Sequence, residues 1–304
     1  MVRGYGSQLK CAQWTTNTLV ERVKGELDIA SSPYGMADAI YDNHFVEPSV
    51  ERMTMTDFLA QLTDPKAAPC YFQAQNNNLR LPELSDLLPD VGESVPAADE
   101  VFEAPPDAVN LWIGSERSTT SLHKDPYENL CVVPEAGVES YRARTATSAS
   151  TVPKRSPCTR PSPTSPSMVR LSMPSSQGVV MPRITERLYR PATWKRDGQK
   201  WRTEPADASV PDVPWPSVDP FNPDYEAHPH FRHARAMTVT LRAGDLLYLP
   251  SLWFHAVQQS GGPLAIAVNW LVLIHVGSPC SRCPGGTTWP TTAQSGHCTG
   301  SCAV

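Results

Sequence analysis

A chain of 304 residues with a formal net charge of −5 and a pI near 5.9 has no overall basic footprint for nucleic acid. One core of this size is stable without disulfide staples, and no apolar run reaches the length of a bilayer-spanning helix. Met1-Val2-Arg3-Gly4-Tyr5 does not open a signal peptide, so the expectation is a soluble cytoplasmic protein with the nucleus as a second compartment and no membrane partner.

Residues 14–133 carry globular signals. Thr54-Met55-Thr56-Asp57 predicts a capped helix start ahead of Phe58, Leu59 and Leu62. Cys70-Tyr71-Phe72 is a strand candidate, Leu84 to Leu88 a helical turn, and Ala108–Gly114 and Ser121–Val133 read as buried strands. Cys11, Cys70, Cys131 and Cys158 are scattered, as reduced intracellular thiols are.

From 134 to 186 the composition shifts to Ser, Thr, Pro, Gly and Arg with no hydrophobic period, which predicts a low-complexity, structureless insertion. Its arginines are more often found in solvated linkers than in a targeting segment. Residues 187–270 return to globular patterning. Met237–Leu241 alternates as a half-buried strand, Gly244-Asp245 marks a turn, and Leu246–Leu249, His255–Val257 and Leu264–Trp270 follow as strands. The tail, 271–304, is irregular and rich in Cys, Gly and Thr. Cys280-Ser281-Arg282-Cys283 has the spacing of half a zinc site, but its neighbours offer no element to present ligands.

His123 and Asp125 stand two apart on a predicted strand, so both project to one face while Lys124 points away. A bare His-x-Asp is more often a strand-end pair than a metal site. With His255 far downstream it has the composition of a two-histidine, one-carboxylate triad, which holds Fe(II) on one face and leaves the other open. A lone histidine beside Trp253 and Phe254 would otherwise read as a core residue.

The strings around these residues carry more. Asp107-Ala108-Val109-Asn110-Leu111-Trp112-Ile113-Gly114 leads to Thr120 and His123, then to Tyr127-Glu128-Asn129-Leu130. Arg242-Ala243-Gly244-Asp245-Leu246-Leu247-Tyr248-Leu249-Pro250 precedes Trp253-Phe254-His255, and Ala267-Val268-Asn269-Trp270 closes the set. In this order they resemble the jumonji-C dioxygenases, and among these the group described as (3S)-lysyl hydroxylases with a peptidase activity. The likeness spans 14–133 and 187–270. Its abrupt loss at Val133 and return at Leu188 favour translated intron or out-of-frame sequence as the origin of the segment between.

The resemblance implies a mainly β fold, a double-stranded β-helix of the jelly-roll, cupin-like kind with a few flanking helices. It implies Fe(II) on His123, Asp125 and His255, and 2-oxoglutarate held by Tyr71, Thr120, Asn129 and Asn269. It also implies O2 as co-oxidant and, as protein substrate, a lysine of a developmentally regulated GTP-binding protein. One departure stands out. Relatives carry a Ser-Gly-Glu-Lys string whose lysine pairs with the far carboxylate of 2-oxoglutarate, where this chain reads Pro134-Glu135-Ala136-Gly137. The competing readings are therefore a catalytically impaired binding protein that keeps the triad, or a histone-tail peptidase as reported for the family. No separate protease machinery is visible, since G-x-S-x-G and H-E-x-x-H are both absent.

Overall fold

The computed structural model describes residues 1–74, 77–134, 140–148, 184, 186–260 and 262–273, with 140–148 described through the backbone alone. The tail cysteines at 280, 283, 298 and 302, and the span 149–183 of the expected insertion, lie outside the described residues. The folded unit starts ahead of residue 14. Val2 bridges to Leu246, the Gly6 amide donates to the Gly244 carbonyl, and Arg3 pairs with Asp245.

Helix α1 (Thr16–Arg22) opens on a reciprocal cap in which the Thr15 and Thr18 hydroxyls each accept from the other's amide. Short strands β1 (Glu26–Ser31), β2 (Met36–Ala37), β3 (Ala39–Tyr41), β4 (His44–Glu47) and β5 (Ser49–Thr54) follow. Helix α2 (Met55–Thr63) begins where the Thr54 motif puts it: the Thr54 hydroxyl accepts from the Asp57 amide at 3.2 Å, and Met55, Phe58, Leu59 and Leu62 form its buried face. After β6 (Cys70–Tyr71), the Leu84 region is a run of turns into α3 (Leu88–Val91), and α4 (Pro96–Phe102) follows.

The remaining strands wind into two facing sheets. β7 (Ala108–Gly114), β8 (Thr119–His123), β9 (Glu128–Val132) and β10 (Ser140–Ser148) come first. β11 (Glu186–Asp197), β12 (Lys200–Pro205) and β13 (Val213–Pro216) form an outer layer, and β14 (Ala234–Leu241), β15 (Leu246–Leu249), β16 (Phe254–Ser260) and β17 (Ala265–Val272) complete the set. One sheet has the order β15-β9-β17-β7 and the other β14-β10-β16-β8-β2. From β7 to β10, and again from β14 to β17, successive strands alternate between the sheets. That winding is the jelly-roll, double-stranded β-helix architecture. Strand β17 is buried along its whole length because strands flank it on both edges and the core covers it. Its Val268 and Trp270 share one core cluster with Leu111, Ile113 and Val132 of the neighbouring strands.

One expectation needs correction. Ser140–Ser148 belongs to the segment read as structureless, yet it is a strand paired antiparallel with both β14 and β16. Ser, Tyr, Arg, Ala and Thr, with Tyr141 its one large apolar side chain, give it too weak an apolar alternation to read as a strand. Its backbone bonds come from two neighbours far along the chain, a tertiary effect that local composition does not carry.

Candidate metal centre

His123 closes β8 and His255 sits near the start of β16, and the antiparallel register makes them direct cross-strand partners. Their rings lie 4.1 Å apart between centroids. Asp125 follows β8 by two residues and brings its Oδ1 to 3.6 Å from His123 Nε2 and its Oδ2 to 3.6 Å from His255 Nε2. The three possible ligand atoms all lie within 4.8 Å of one another.

The other ring nitrogens are occupied. His123 Nδ1 lies 2.9 Å from the Ser121 carbonyl and His255 Nδ1 lies 3.0 Å from the Trp253 carbonyl. A carbonyl only accepts, so each Nδ1 carries the proton and each Nε2 turns a lone pair inward. Burial, then the neighbouring His123, push the His255 imidazole down to about 4, against the pull of Asp125, so it is neutral near pH 7. Asp125 Oδ1 is buried with no hydrogen-bond partner. An orphaned anionic oxygen is costly unless a cation meets it. Two inward lone pairs and one unsatisfied carboxylate oxygen suit a divalent metal, so the donor set fits the Fe(II) that the resemblance implies.

The triad opens on a pocket of about 740 Å³, into which the structure brings Tyr71, Thr120, Asn129 and Asn269 together with the three ligands. Trp112 donates its indole N–H to Asn269 Oδ1 at 3.1 Å, and Asn269 Nδ2 donates to Asn129 Oδ1 at 3.3 Å. This chain runs across three strands, β7, β17 and β9, and fixes which amide atoms remain for a ligand. Leu247, Leu249, Val257 and Ala267 supply the apolar wall.

Supporting groups escaped the sequence reading. Trp215 stacks parallel to the His123 ring with centroids 6.1 Å apart and donates to Ser121 Oγ at 3.1 Å, which ties the outer layer to the metal side. Glu128 is buried and accepts from the Tyr248 hydroxyl and the Ser251 amide, fastening the turn before His255 to β9. Lys124, the residue between the ligands, turns outward to Glu186 at 2.7 Å, as strand alternation requires. Glu128 stands in the Tyr127–Leu130 string, but neither its role nor that of Trp215 can be read locally, because both depend on partners from other strands.

Comparison with known proteins agrees with this geometry. The family model for the cupin-like domain matches residues 1–135 and 153–271. The chain is 36% identical over 248 residues to the human bifunctional peptidase and (3S)-lysyl hydroxylase JMJD7, covering 81% of this chain and 67% of that protein. It is 32% identical over 259 residues to the Arabidopsis thaliana lysine-specific demethylase JMJ32, covering 79% and 64%. It is also 27% identical over 284 residues to JmjC domain-containing protein E of Dictyostelium discoideum, covering 85% and 72%. The chain thus spans about two thirds of the length of the first two. A jelly roll whose facing strands bring together a His-Asp-His group, matched by these proteins, belongs to the cupin-like JmjC domain family.

Proposed function

We propose that the chain is an Fe(II)- and 2-oxoglutarate-dependent protein hydroxylase that acts on C3 of a lysine side chain in a GTP-binding protein. The observation that carries the reading is the triad itself: two Nε2 lone pairs and an unpaired Asp125 oxygen converge at the mouth of a pocket lined with neutral hydrogen-bonding groups. Iron held there would supply, with O2 and 2-oxoglutarate, the oxidation that adds a hydroxyl to carbon while the 2-oxo acid is converted to succinate and CO2. The protein's own part is positional. Ser121 and Trp253 carbonyls hold the imidazoles, the Trp112–Asn269–Asn129 chain orients polar groups for a carboxylate, and the apolar wall keeps water from the reacting face. The names of two relatives, a lysyl hydroxylase and a lysine-specific demethylase, both concern lysine, which supports that substrate class. For the compartment we assign the cytoplasm, with the nucleus as a second site. Free thiols at Cys11, Cys70 and Cys131 are what a reducing environment maintains.

A second reading, a binding protein that has lost turnover, is favoured by one observation. The residues of β10 paired with His255 and Val257 are Thr145 and Ala143, neither of them a base. The test is succinate formation from 2-oxoglutarate with Fe(II) and ascorbate, together with mass analysis of a lysine-containing peptide from a GTP-binding protein. Succinate with one added oxygen on the lysine is the expected result. Iron binding without succinate would replace the hydroxylase with the binding protein.

A further inference from the structure

His255, Val257 and Gln259 are alternate residues of β16, and their pairing with β10 runs without interruption, so all three share one face. The first is a candidate ligand and the second lines the pocket. The third is 2% exposed, and among the described residues neither its Oε1 nor its Nε2 has a hydrogen-bond partner. A buried amide with every donor and acceptor idle is rare and costs stability, and it raises the question of what completes it.

Its neighbours answer. The amide lies beside the Tyr71 phenol and near Thr120, both of which line the pocket. Burial raises the phenol, while Thr120 and Gln259 next to it pull the other way. The phenol is thus the polar group next to the amide, and neither amide atom has a full hydrogen-bond partner. Gly114 makes room: a Cβ there would run into the Gln259 amide and would stand 2.7 Å from the Ser118 hydroxyl. The β10 residue paired with Gln259 is Tyr141, so no base comes from that position.

We propose that Gln259 receives the distal carboxylate of a bound 2-oxo dicarboxylate, its Nε2 donating alongside the hydroxyls of Tyr71 and Thr120. This rests on the 2-oxoglutarate reading above. It assigns to a neutral amide the work that relatives give to a lysine, so the pocket selects a dicarboxylate by directed donors rather than by net charge. An acceptor placed among these groups satisfies the amide's Nε2 donor.

The experiment compares 2-oxoglutarate with 2-oxobutyrate, which has the same keto acid and no distal carboxylate. Affinities are measured by calorimetry on the full chain loaded with Mn(II). Gln259→Met keeps the shape and removes the donor. It should weaken 2-oxoglutarate by about 10- to 100-fold, as loss of a hydrogen bond to a charged group does. It should leave 2-oxobutyrate and Mn(II) binding unchanged, and raise the melting temperature of the ligand-free protein because an idle buried amide is gone. Gln259→Glu should weaken 2-oxoglutarate as well, by setting one carboxylate against another. Unchanged 2-oxoglutarate affinity in Gln259→Met, or equal loss of both acids, overturns the assignment while leaving the 2-oxoglutarate reading standing. If the unaltered chain binds neither acid, that reading falls and this one with it.

Discussion

Leu252 donates its backbone N–H to the Asp125 carbonyl at 2.7 Å while holding a left-handed φ of 61°. That single bond joins the loop carrying the carboxylate ligand to the turn that delivers His255. A non-glycine residue in this region costs about 1–2 kcal/mol, and the Leu252 side chain, 52% exposed, recovers little by burial. Leu252→Asn, which tolerates the conformation, should raise stability by about 0.5–1 kcal/mol in urea melts. Leu252→Val, β-branched at the same φ, should lower it by about 1 kcal/mol or more and weaken metal binding as the turn shifts. Equal stability of the two variants would show that the turn holds no strain.

The triad predicts one Mn(II) or Fe(II) per chain. Asp125→Ala removes the only anionic donor and should abolish binding, and His255→Ala should reduce it sharply. Metal content of the purified variants decides the matter, and a wild-type ratio in either would remove that residue from the centre.

Asp38 supplies a pH signature. Burial, with Glu47 beside it, pushes its carboxyl up to about 6, against the pull of His123. The folded value lies above the unfolded one near 3.8, so stability is fully present below about pH 4 and is lost as pH rises through 6. In metal-free protein kept with a chelator, Asp38→Asn should therefore be more stable than the parent at pH 7.5, by an amount on the order of 2 kcal/mol, with the gap closing towards pH 4. A gap of the same size at both pH values would mean that ionisation of Asp38 is not its cause.

Asn78 continues, as a strand would, the pairing that Phe72 makes with Ile113 on the outer edge of β7. Its Nδ2 donates to the Leu111 carbonyl at 2.9 Å and its Oδ1 accepts from the Leu111 amide at 2.8 Å, in a site with no exposure. Asn78→Ala leaves both backbone groups unpaired and should cost about 3 kcal/mol by denaturant unfolding. Asn78→Asp keeps the acceptor and loses the Leu111 carbonyl's donor, and it should also destabilise. A loss under about 0.5 kcal/mol in the alanine variant would show that water replaces the amide.

The parts legible in the sequence are those whose chemistry prescribes residue type at fixed spacing. His123-x-Asp125 and the Gly244 to His255 string are of this kind, as are Met237–Leu241 and Leu246–Leu249, where apolar residues mark the strand. Helices α1 and α4 span seven residues each, too few for a 3.6-residue period to show. Strand β10 hid behind a polar composition because its stability comes from β14 and β16. Gln259 was invisible for another reason. A glutamine on a strand looks like any surface residue until burial shows its amide to be without a partner.

Arg3 pairs with Asp245, 242 positions away, and Val2 bridges to the same strand end. Val2 and Arg3 thus wait for Asp245 and Leu246 to be synthesised before they can dock. Strand β17, which holds β9 and β7 apart as their shared neighbour, arrives later still. Such long closures slow folding and leave unpaired strand edges exposed meanwhile. A nascent chain interrupted before β17 would carry all three candidate ligands yet lack the strand that joins β9 to β7, and would offer those edges to other chains instead.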